Sequence, residues 1–75
     1  MKLFTGIDHD GCGMWTVIAK DDAECAAILK EDFKDLWGEP MDEAAKQKLY
    51  TAVAKAPRFD LVDGYTADLI LQYKG

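Results

Sequence analysis

Cysteine, histidine and proline are scarce in this 75-residue chain, which holds two, one and two of them respectively. Two cysteines, Cys12 and Cys25, are too few for a disulfide framework and are expected to be free thiols. A single histidine, His9, leaves catalytic or metal chemistry with few ligands to draw on. No apolar run approaches the roughly 20 residues of a membrane span, and Gly6 and Asp8 interrupt the N-terminal Met1-Lys2-Leu3-Phe4 before a signal-peptide core forms. The expectation is therefore a single domain, residues 1–75, kept in the cytosol. Also missing is a basic face with interleaved aromatics, which argues against direct nucleic-acid binding.

What is present is acid, unevenly distributed. Asp21, Asp22, Glu24, Glu31, Asp32, Asp35, Glu39, Asp42 and Glu43 stand against Lys30 and Lys34, a local charge of −7 in a chain of net charge −5. Such a localised field attracts basic partners and repels nucleic acid and anionic membranes. The apolar fraction of 49% marks a folded domain, not an acidic disordered tail. A core this small leaves a net stability of only about 3–5 kcal/mol.

Lys2 to Ile7 and Met14 to Ala19 read as two strands of an antiparallel hairpin, joined by the Gly- and Asp-rich segment Asp8 to Gly13. Asp21 and Glu24 form a helix start, and Cys25, Ile28, Leu29, Phe33, Leu36 and Trp37 recur at helical spacing as a core stripe opposite an acidic face. Gly38 supplies a left-handed stop and Pro40 prevents continuation. A second helix is predicted from about Asp42 to Lys55, with a narrow stripe of Ala45, Leu49, Ala52, Val53 and Ala56.

In the last third, Phe59 and Leu61 share parity, as do Tyr65, Ala67, Leu69, Leu71 and Tyr73 beyond Asp63-Gly64. A two-residue turn places Leu61 opposite Thr66; a three-residue loop, Val62-Asp63-Gly64, pairs Leu61 with Tyr65 and Phe59 with Ala67, with Gly64 left-handed. That hairpin is the expected register. The fold class is thus α+β: ββααββ, a four-stranded antiparallel sheet with two helices on one face. One arrangement puts the C-terminal strand at the sheet centre.

Each chemical motif fails on its own terms. As a calcium loop, Asp8, Asp10 and Gly13 fit, but Cys12 and Ala19 occupy ligand positions. For a transition metal, His9 and Cys12 supply two ligands where structural zinc needs four, so no metal and no cofactor is expected. As a nucleophile, Cys12 has only His9 as a base, and neighbouring carboxylates oppose thiolate formation. Gly11 and Gly13 lack the Lys and Ser/Thr of a phosphate loop. No enzymatic activity is expected.

The candidate site is therefore the acidic surface, comprising Glu24, Glu31, Asp32, Asp35, Trp37, Glu39, Asp42 and Glu43, with Trp37 at the border between core and rim. Its expected partner is a protein with a basic surface, such as a nucleic-acid groove, which a compact acidic domain would occupy as a stoichiometric inhibitor. In size, charge and single-domain economy the chain resembles the small anti-defence proteins of phages, anti-CRISPR proteins among them; the likeness covers no motif and transfers no residue. The alternatives are a homo-oligomeric module pairing through a sheet edge or open sheet face, and a thiol or metal protein using His9 and Cys12.

Overall fold

The computed structural model describes residues 1–8 and 11–74. It contains β1 (Lys2–Ile7), β2 (Gly13–Ala19), α1 (Asp22–Trp37), α2 (Glu43–Lys55), β3 (Arg58–Asp60) and β4 (Asp68–Lys74). The strands form one antiparallel sheet in the order β3-β1-β2-β4, and both helices cover the same face.

Each helix begins where its capping residue dictates. The Asp21 carboxylate accepts from the Glu24 amide at 2.9 Å, and Glu24 reaches back to the Lys20 amide at 2.9 Å. The first bond satisfies a donor that the first helical turn leaves open, and the second ties the residue before the cap to that turn. Asp42 does the same for Ala45 at 2.8 Å. Gly38, at φ +79°, ends α1 by donating its amide to the Lys34 carbonyl.

Phe4, Trp15, Val17 and Ala19 from the sheet meet Cys25, Ala26 and Leu29 of α1 and Leu49 and Val53 of α2 in the core. Met41, in the connection between the helices, joins them at 6% exposure. The narrow alanine stripe of α2 fulfils its expectation: Ala45 and Ala52 are half-buried and Ala56 is buried. Gly6 faces Trp15 across β1 and β2, and the indole occupies the space a side chain would fill. The indole Nε1 donates to the Ile7 carbonyl at 3.1 Å.

Two expectations are overturned. β3 and β4 do not form a hairpin; they lie at opposite edges, β3 beside β1 and β4 beside β2. The Leu61 amide bonds to the Met1 carbonyl at 3.1 Å, so the chain keeps following β1 where the predicted loop would turn back. Crossing three strand spacings takes about 14 Å, well within the roughly 23 Å reach of seven extended residues. β4 is accordingly an edge strand, not a central one. Gly64 is left-handed, at φ +106°, but in a crossover.

The second correction concerns burial. Leu36 and Trp37, placed on the core stripe, are 54% and 62% exposed at the C-terminal end of α1, where no core residue of the sheet or of α2 covers them. Parity also breaks in β4. Val17 pairs with Leu69 and Thr16 with Leu71, leaving Ile70 as a bulge. Leu69 therefore packs toward the helices while Leu71 faces the other side, although their parity is the same. Phe59, on the same side as Leu3, and Tyr65 are likewise exposed, at 57% and 49%. The side chain of Tyr73 lies outside the described residues.

Candidate functional site

Helical geometry distributes the acidic residues unequally. Glu24 and Asp42 are engaged as helix-start acceptors, and the Gln47 side-chain amide approaches Glu43 at 3.5 Å, so these three have local structural roles. Glu31 and Asp35, four residues apart on α1, lie exposed on one side of the helix, with Asp32 half-buried between them. Glu39 is exposed in the connection.

An open groove of about 300 Å³ runs beside this acidic row, lined by Ile28, Glu31, Asp32 and Asp35 of α1 and by Ala67, Asp68 and Leu69 at the start of β4. Three of these lining residues are aliphatic and four are acids, three of the acids on the helix. The volume is at the lower limit of small-molecule sites, and its openness suits an extended side chain better than an enclosed ligand. Ala67, Asp68 and Leu69 were missed as site members because only the crossover and the pairing of β4 with β2 bring them to α1; no local signal marks them.

Trp37 ends the same helix, its ring 6.2 Å from that of Phe33 at a tilt of 42°. Phe33 packs against the core and so anchors the base of an otherwise exposed indole. An aromatic standing in water beside carboxylates offers apolar contact area ringed by charge.

No family model matches this sequence, and no curated protein or solved structure is significantly similar to it. The site is therefore read from its own chemistry.

The remaining titratable clusters are structural. Arg58 stacks on Phe4 with its guanidinium carbon 4.6 Å from the ring centre, pairs with Asp22, and donates to the carbonyls of Val53 at 2.9 Å and Ala54 at 3.3 Å. It joins the start of α1, the end of α2 and β3 through one side chain. Nothing in the local sequence singled it out. Cys25 is buried, and burial, with a smaller contribution from the nearby Asp22 charge, pushes its thiol up to about 12, so it is an inert core residue at neutral pH. Cys12 is exposed.

In the loop between β1 and β2, the buried Asp8 closes the turn: its amide donates to Gly13 at 2.8 Å, its carbonyl accepts from Gly11 at 2.9 Å, and its carboxylate accepts from the Gln72 side chain at 3.4 Å. Among the described residues no three metal-capable side chains converge. His9 and Asp10, central to the calcium, zinc and nucleophile readings, lie outside the described residues. Among those residues, too, no helix is long and apolar enough to cross a membrane.

Proposed function

We propose that this is a non-enzymatic cytosolic binding protein that acts by protein–protein contact, presenting the acidic side of α1 and Trp37 to a basic surface. One observation carries the reading: Glu31, Asp32 and Asp35 line a groove shared with Ile28, Ala67, Asp68 and Leu69, on the helix that also carries the exposed Trp37. Basic side chains with long apolar stems complement that combination, since stem and charge find matching surface together. A groove built for DNA or RNA supplies such side chains in rows, and an acidic domain seated there competes with the nucleic acid. This is stoichiometric inhibition, in keeping with the phage anti-defence class that the chain resembles in size and charge.

The test is charge reversal on the exposed pair. Glu31→Lys with Asp35→Lys alters local charge by four while touching no core residue, so the circular dichroism spectrum should match wild type. Against a partner recovered with the tagged wild-type protein, the association rate should fall about tenfold or more at low salt, and the wild-type rate should itself fall as the Debye length shrinks below about 10 Å. Unchanged rates and an unchanged salt slope would reassign the acids to solubility.

A further inference from the structure

The sheet face opposite the helices presents Phe59 beside Leu3, Ile7 beside Met14, and Leu71 beside Thr16. Phe59, Ile7, Leu71 and Met14 are 49–57% exposed in the protomer. Thr5 and Thr16, which hydrogen-bond to each other at 3.4 Å, fill the centre. Among the described residues the only charge at a register position on this face is Asp68, at one corner opposite Ile18. Four large apolar side chains half in water, on a face whose one charged register position among the described residues is a corner, form a patch of the kind that marks an interaction surface.

We infer that a second copy of this chain covers it, sheet face on sheet face. The charge distribution selects that occupant. A molecule of net charge −5 repels its copy most strongly across α1 and the segments flanking it, where −7 is concentrated between Asp21 and Glu43, and little across this face, where Asp68 is the one charge at a register position among the described residues. The edges are protected by contrast: β3 has three residues, and β4 is kinked by the Ile70 bulge, both of which oppose strand-to-strand pairing. Three strands of about six residues and the three-residue β3, at about 4.8 Å spacing and about 3.3 Å rise, give a face of about 330 Å². With side-chain relief, two such faces bury on the order of 1,000 Å² together, at the low end of specific interfaces, the range of weak association. Stacked sheets meet at about 10 Å, leaving the acidic helices on the two outer sides and free for other partners.

Sedimentation velocity on the full chain, from about 5 to about 500 μM, a range that covers weak association, should show the 8.4 kDa species giving way to one of twice the mass. Met14→Lys and Leu71→Lys, each at a side chain already half in water, should keep the native circular dichroism spectrum and weaken association at least tenfold, since each dimer would bury two unpaired ammonium groups. Glu31→Lys with Asp35→Lys should leave the dimer intact. A wild type that remains monomeric at the highest concentration overturns the inference, whatever else the face then binds. So does a dimer indifferent to both lysine substitutions, or one whose added amide-exchange protection falls on the outer edge of β4.

Discussion

Replacing Gly6 by alanine adds one methyl group at a place where the tertiary structure has left no room. A Cβ built there lies 2.6 Å from Cζ2 and 2.9 Å from Cη2 of Trp15, closer than carbon atoms approach in folded proteins. The indole cannot swing aside easily, because Trp15 is 1% exposed and its Nε1 is tied to Ile7. Overpacking of this kind costs about 1–3 kcal/mol, against which reduced freedom of the unfolded chain returns about 0.4–1 kcal/mol. The net loss is about 1–2 kcal/mol, a large part of the roughly 3–5 kcal/mol that a domain of this size holds. At about 4–8 °C per kcal/mol, the melting temperature followed by circular dichroism should fall by about 5–15 °C. Gly6 does not adopt a positive φ, so backbone strain makes no contribution. A double-mutant cycle isolates the contact: in a Trp15→Phe background the colliding ring atoms are gone, and Gly6→Ala should then be neutral or mildly stabilising. A Gly6→Ala variant that melts at or above the wild-type temperature would refute the reasoning.

Gly38→Val should cost about 1–2 kcal/mol in urea titrations, because a β-branched residue resists the left-handed conformation at the end of α1, and Gly64→Val should cost a similar amount; an unchanged midpoint in either would contradict the backbone described. Arg58→Lys should lose about 1–3 kcal/mol, chiefly through the carbonyl hydrogen bonds at the end of α2, since the partly exposed pair with Asp22 is screened by solvent; equal stability of the lysine variant would show that charge alone matters there. Native protein at pH 8 should react with a thiol reagent at Cys12 and resist at Cys25. Because folding raises the Cys25 pKa, its contribution is fully present below the unfolded value of about 8.5 and is lost as pH climbs toward about 12, so Cys25→Ala should flatten the alkaline decline in stability; identical alkaline slopes would refute this.

The local sequence determined whatever depends on neighbours along the chain. Asp21, Glu24 and Asp42 set helix starts, Gly38 set a stop, and the Gly- and Asp-rich connection between Lys2 to Ile7 and Met14 to Ala19 set a hairpin, because caps, left-handed glycines and short turns are decided within a few residues. The acidic character of α1 was equally legible. Tertiary structure decided the rest. Leu61 bonding to Met1 sent β3 and β4 to opposite edges, and the Ile70 bulge reversed the faces of Leu69 and Leu71. These choices depend on which free edge of the β1–β2 pair each segment finds, and parity is blind to an inserted residue. Only that arrangement brings Ala67 to Leu69 against the acids of α1 and leaves Phe59 and Leu71 on an uncovered face, because a surface patch is made by residues that sequence separates and packing unites.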